Sequence, residues 1–194
     1  VEAIVQNAGE MAAVKTGNEA QLPAEESAGI AAQIQAARRW FSQTMTPQGI
    51  ALVAHPDGQA FHFLADARGA SVVPDGAAEW SWKLRPANGK PAAPRAEKHK
   101  LSYDRGDGVT EWFVNGAGGI EHGFTLAVEN GQAVRKVGAV IETELHAAAR
   151  KGRDGVDFLD GSGTARLHYD GLLAYDAAGR VLDAWMEVDG RDQS

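Results

Sequence analysis

Hydrophobic positions along this chain change rhythm once. Between residues 23 and 43, Ile30, Ile34, Ala37 and Phe41 recur at helical spacing, which puts them on one face of a helix. Pro23 suits a first helical turn, Glu25 and Glu26 suit the positive N-terminal end, and Arg38 and Arg39 suit the C-terminal end. The pattern predicts one helix over 23–43. Residues 1–22 are polar, small and weakly patterned, and read as an extended arm of the kind that orders on a partner.

From Thr46 onward the apolar residues come in short runs. "GIALVAH", "AFHFLAD", "KLSYD", "VTEWFVN", "GFTLAVE", "VDFLD", "ARLHYD", "LLAYD" and "RVLDAWMEV" have strand length and texture. "EWSWKLR" puts Trp80, Trp82 and Leu84 on one strand face, and "AVIETELHA" alternates Ile141, Thr143 and Leu145. Asp-Gly pairs at 57, 75, 107, 154, 160, 170 and 189, and Asn-Gly pairs at 88, 115 and 130, separate these runs. Such pairs supply the positive φ angles that tight hairpins need. The pattern predicts a mainly β fold of roughly ten to twelve strands: a two-sheet antiparallel β-sandwich over 44–190 with one short N-terminal helix. The polar loop 85–98 is too short to separate domains.

Composition narrows the function more than the fold. A chain of 194 residues suits one domain and buries a real core. The net charge of −7 comes with no basic run, so nucleic acid and anionic membrane surfaces are poor partners. With no cysteine, disulfides, thiolate metal sites and cysteine catalysis are excluded. No apolar run reaches the ~20 residues of a membrane span, and no signal peptide is visible. The start at Val1 is the start expected of a processed or trimmed chain.

The densest chemistry lies in "EWFVNGAGGIEHGFTL", residues 111–126. Gly116 and Gly118 begin a dinucleotide fingerprint, but Glu121 stands at its third glycine. Gly118 and Gly123 have P-loop spacing, but Phe124 replaces the lysine that must meet the phosphate charge. A strand follows where both motifs need a helix. The segment therefore reads as strand, broad glycine bend at Asn115–Gly119, and strand. Trp112 and Phe124 are expected to anchor the arms in the core, with Glu121 held by backbone donors inside the bend. Glu121 and His122 are adjacent, so on a strand they face opposite ways and do not cooperate.

Other candidates are each met by a plainer explanation. Histidines 55, 62, 99, 146 and 168 show no metal-ligand spacing, and no serine sits in a nucleophile elbow. Asp154, Asp157 and Asp160 form a calcium candidate, but they lie three apart and no glutamate closes the loop. Acidic hairpin turns explain them as well. Arg105-Gly106-Asp107 spells a tripeptide read by adhesion receptors, a motif short enough to recur by chance. Trp80, Trp82 and Trp112 would make a sugar platform only if exposed, and their strand positions favour packing. No metal and no cofactor is expected.

The central motif resembles a segment of large secreted bacterial surface proteins, with the pattern R-G-x-V-x-E-W-Y-x-N-G-x-x-G-[LI]-E-Q-G-F-T. Arg105, Gly106, Val109, Glu111, Trp112, Asn115, Gly116, Gly119, Ile120, Glu121, Gly123, Phe124 and Thr125 match it. "MTPQGIALV", "EWSWKLRPANG" and "LHYDGLLAYDAAGRVLDAWMEV" extend the similarity over most of 45–188. Phe113 replaces tyrosine, His122 replaces glutamine, and Asp107-Gly108 lengthens a turn. The resemblance implies a β-rich module that often precedes FG-GAP or similar propeller repeats, with no catalytic activity or cofactor. The chain ends at "EVDGRDQS", where the resembling proteins continue into further strands and repeats. A missing closing strand would leave an edge open to strand addition.

Together these features lead to an expected function: a non-catalytic, extracytoplasmic interaction or assembly module of a bacterial surface or envelope protein. It would bind protein partners through the N-terminal arm and an exposed strand edge. One alternative is a standalone periplasmic accessory subunit that stabilises a membrane-associated complex. Another, from a different class, is a sugar-binding protein or hydrolase with its site on a sheet face.

Overall fold

The computed structural model describes residues 24–76, 79–87, 89–127 and 136–188. The expected arm, 1–22, lies outside them. Helix α1 runs Ala24–Arg38 and ends on its basic last turn. It is shorter than expected. Ile34 is exposed, and Phe41 lies beyond the helix in the core of the β-unit that begins at Arg39.

That unit is mainly β, and every strand pair is antiparallel. The strands form four sheets among the described residues, where two were expected. The largest contains β1 (Ser42–Thr46), β2 (Gly49–Ala54), β3 (Phe61–Asp66), β4 (Gly69–Pro74), β5 (Trp82–Pro86) and β10 (Ala139–Thr143), in that order. A second sheet is a meander of β6 (Arg95–Glu97), β7 (Lys100–Gly106), β8 (Val109–Gly116) and β9 (Gly119–Leu126). The third comprises β11 (His146–Ala149), β12 (Val156–Leu159) and β13 (Ala165–Tyr169). The last is the short pair β14 (Ala174–Tyr175) and β15 (Val181–Leu182).

One hydrophobic cluster joins the three larger sheets. Phe63 on β3 packs 5.0 Å, ring centre to ring centre, from Phe113 on β8. Trp82 on β5 meets Phe158 on β12 edge-on at 5.8 Å, a favoured aromatic geometry. Trp82 and Leu84 are buried as the alternation predicts, and Trp80 is partly buried against the core cluster.

The hairpins follow local turn chemistry. Asp107 and Gly108, with φ of 51° and 72°, connect β7 to β8 in two residues. This is the mirror-image turn whose twist suits a hairpin. The glycine bend is tighter than expected: Ala117-Gly118 alone joins β8 to β9, with Gly116 opposite Gly119. Asn115 therefore lies inside β8, where it is buried. Its amide donates to the carbonyls of Arg39 (3.1 Å) and His55 (3.4 Å).

Candidate functional site

Strand alternation brings the chemistry together on the inner face of the four-stranded sheet. Glu111, Phe113 and Asn115 point inward from β8. Glu111 sits opposite both Tyr103 and Phe124, which makes His122 its diagonal neighbour on β9. Diagonal pairs of long side chains are within reach in an antiparallel sheet.

A continuous polar chain results. Arg105 Nε donates to Glu111 Oε2 at 2.6 Å, and Nη2 lies 2.5 Å from the same oxygen, close enough to ion-pair but off the angle of a hydrogen bond. Glu111 Oε1 lies 2.8 Å from His122 Nε2, and His122 Nδ1 lies 2.6 Å from the Tyr169 hydroxyl on β13. Flat packing holds each end. The Arg105 guanidinium lies 4.0 Å above the Tyr103 ring, a cation–π contact. The His122 ring stacks on Phe113 at 4.4 Å with 4° between planes. Tyr103 in turn donates to the carbonyls of Asp66 and Gly69 on the six-stranded sheet.

The chain is sealed. The side chains of Glu111, His122 and Arg105 are 2%, 4% and 7% exposed. Burial alone would push the Glu111 carboxyl up. The bonds and charges of His122 and Arg105 outweigh it and hold the carboxyl below its ordinary range. Burial, aided by the Glu111 charge, pushes the Tyr169 hydroxyl up to about 12. At neutral pH the cluster thus carries a guanidinium, a carboxylate and a neutral phenol. It links two sheets by hydrogen bonds, and its side chains are turned away from solutes. A shallow depression at the β7–β8 turn, lined by Asp104, Asp107, Thr110 and Thr125 among others, contains none of these side chains.

Several sequence expectations are corrected. Glu121, expected to hold backbone donors, is exposed, and its carboxylate makes no hydrogen bond among the described residues. The acid that is held inside is Glu111. Trp112 faces away from the core. It lies across Gly123, where an added Cβ would come 2.2 Å from the indole, and Lys100 sits above it. Phe113 takes the core position, and Phe124 is half-buried beside His122. Glu121 and His122 do face opposite ways, as adjacent strand residues must.

The adhesion tripeptide is unavailable, because Arg105 is turned inward onto Glu111. The three aspartates of the calcium candidate are separately engaged or apart. Asp157 is bonded to Arg150 and His168, and the Asp160 carboxylate closes its own turn on Ser162, Thr164 and Arg166. Exposed Asp154 joins neither group. No group of three or more metal-ligating side chains is placed to hold an ion among the described residues. Trp82 is in the core and Trp80 is partly buried against the core cluster, so the two do not form an exposed pair for sugar.

Sequence reasoning missed Arg105, His122 and Tyr169 as partners of Glu111. Register could have found His122, because the two-residue turn at 117–118 sets Glu111 opposite Phe124; Arg105 lies at a bulge in β7 that shifts the register set by the 107–108 turn. Tyr169 is brought in by tertiary packing, and no local signal announces it. No helix among the described residues is long and apolar enough to cross a membrane. No family model, curated protein or solved structure matches this chain.

Proposed function

We propose that this chain is a non-catalytic, extracytoplasmic interaction or assembly module, built as a two-layer β-sandwich. In this reading the six-stranded sheet forms one layer and the four- and three-stranded sheets together form the other, in keeping with the Phe63–Phe113 and Trp82–Phe158 contacts. The likeness to bacterial surface modules supports the same reading, as does the enclosure of the acid–base residues away from solutes.

One observation carries the proposal. The segment after β13 exposes Tyr175 (64%) and Val181 (73%) on a pair of two-residue strands, and Leu173 (64%) and Trp185 (57%) beside them. An isolated hairpin is at best marginally stable in water, and exposed apolar groups of this kind mark contact surfaces. Strands β1 and β10 also end the six-stranded sheet with one side unpaired among the described residues, which suits strand addition. The accessory-subunit alternative uses the same surfaces.

The test is a native mass measurement on chain isolated gently from its source. The wild-type chain should carry a protein partner in fixed ratio. A Leu173→Ser/Val181→Ser variant should keep the same melting midpoint and lose that partner. A wild-type chain that runs bare, or a partner retained by the variant, would refute the proposal.

A further inference from the structure

Spacing along the chain gives His55 and His62 no metal pattern, but the β2–β3 hairpin brings them together. Ala54 on β2 pairs with Phe63 on β3. One step further in the same register, His55 stands across from His62. Ala54 and Phe63 are buried in the core, so strand alternation puts both imidazoles on the outer face of the six-stranded sheet. Their ring centres are 5.7 Å apart, with 36° between the planes. His55 is exposed and His62 partly exposed, so a solute reaches both.

A third strand orients one of the rings. His62 pairs with Val73 on β4, and Asp75 follows two residues later on the same face. The Asp75 amide donates to the Ala60 carbonyl at 2.9 Å, which carries the β3–β4 ladder past Pro74. Asp75 Oδ1 lies 3.3 Å from His62 Nδ1. A carboxylate only accepts, so Nδ1 carries the hydrogen and Nε2 is the nitrogen left for a ligand. A carboxylate on one imidazole nitrogen is the usual support for a metal bound at the other.

Distance and chemistry both suit one ion between the rings. Zinc–nitrogen bonds of about 2.0–2.1 Å hold two imidazole centres roughly 5–6 Å apart at angles near tetrahedral. The pair therefore needs only side-chain rotation to share an ion. Imidazole nitrogen suits zinc, copper and nickel, whereas calcium and magnesium take oxygen. A second histidine–carboxylate couple, His168 with Asp157 at 2.8 Å, has different surroundings. The Arg150 guanidinium lies 3.2 Å from the same His168 nitrogen, and no second imidazole meets this ring among the described residues.

We propose that His55 and His62 form a two-nitrogen chelate for a borderline divalent cation of the zinc type, with Asp75 as the positioning residue for His62. Two protein nitrogens leave the other positions of the ion to water. The site is therefore open and exchangeable, unlike a closed structural centre with four protein ligands. It stands apart from the Glu111 cluster and does not rest on the assembly reading.

Zinc titration of the full, untagged, chelator-treated chain tests the chelate, read by calorimetry and by imidazole NMR signals. The strongest site should take one ion per chain, and the His55 and His62 rings should respond together before any other histidine. Asp75→Ala should weaken binding about tenfold with the melting midpoint unchanged. Asp75→Asn, whose carboxamide oxygen still accepts from Nδ1, should keep most of the affinity. His55→Ala and His62→Ala should each cost more than Asp75→Ala. His168→Ala should leave binding intact, and calcium should move neither ring. A wild-type chain with no saturable zinc site, or one whose other histidines respond first, would overturn the proposal without reference to any variant. So would full affinity in His55→Ala or His62→Ala, or an equal loss in His168→Ala.

Discussion

Glu111→Leu is expected to destabilise the chain by about 3–5 kcal/mol, the usual cost of breaking a buried ion pair from one side. Leucine fills much of the space, so lost packing is a minor part of the effect. The damage comes from Arg105, whose side chain is 7% exposed and has no other anionic partner among the described residues. For a unit of this size, the melting midpoint should fall by roughly 6–20 °C. Adding Arg105→Met removes the orphaned charge and should restore a large part of the loss, because replacing both members of a buried pair is far milder than replacing one. The pH dependence has a definite sign. The native carboxyl is held below its ordinary value, so its contribution is complete above ~4.3 and fades as pH falls below it. The gap between wild type and Glu111→Leu should narrow in acid. Thermal melts of the three chains across pH 3–7 measure each of these effects.

Gly69→Ala is expected to cost at least ~3 kcal/mol, for a reason unrelated to charge. Gly69 opens β4 with φ of 138°, and an added Cβ would come 2.1 Å from the Leu84 carbonyl oxygen on β5. That oxygen belongs to the backbone of a buried strand, so it cannot swing aside as a side chain could. The backbone angle adds strain for any residue with a Cβ. Moving β4 to relieve the clash would also pull the Gly69 carbonyl from the Tyr103 hydroxyl, now at 2.9 Å. Gly123→Ala meets only the edge of the Trp112 indole, which can shift, and should cost clearly less. Urea melts of the two variants rank them, and equal losses would contradict this account.

The mainly β character and most strand positions were legible in the sequence, because Asp-Gly and Asn-Gly pairs act locally and mark where chains reverse. Strand β4 was not. Gly69, Ala70 and Ser71 are small and show no clear alternation, and this strand exists because it is enclosed by β3 and β5. The shortness of β14 and β15 was equally hidden, since "LLAYD" and "RVLDAWMEV" have the composition of full strands. The helix was overextended for a similar reason: Phe41 fits the helical period, yet its burial is in the β-unit.

The inverted face of β8 is the most instructive miss. A tryptophan beside a glutamate suggests the tryptophan inside and the acid outside. Here Arg105 and His122 supply the bonds that make a buried Glu111 tolerable, while Gly123 provides the bare surface on which Trp112 lies outside. Both compensations sit on neighbouring strands, so reading β8 by itself could not reveal them. Pairing the strands through their two-residue turns would have placed Glu111 beside His122. The contribution of Tyr169 depends on how two sheets pack, which no local pattern encodes.

The central claim is that the acid–base residues of this chain form a closed structural joint rather than a site open to solutes. Diethyl pyrocarbonate modification of the folded chain at pH 7.5, read residue by residue by mass spectrometry, tests it most directly. His55, His99, His146 and His168 are exposed and should be modified readily. His122, with its ring stacked on Phe113 and its side chain 4% exposed, should stay unmodified until the chain unfolds. Modification of His122 at the rate of the exposed histidines would show the cluster to be open, and would contradict the account.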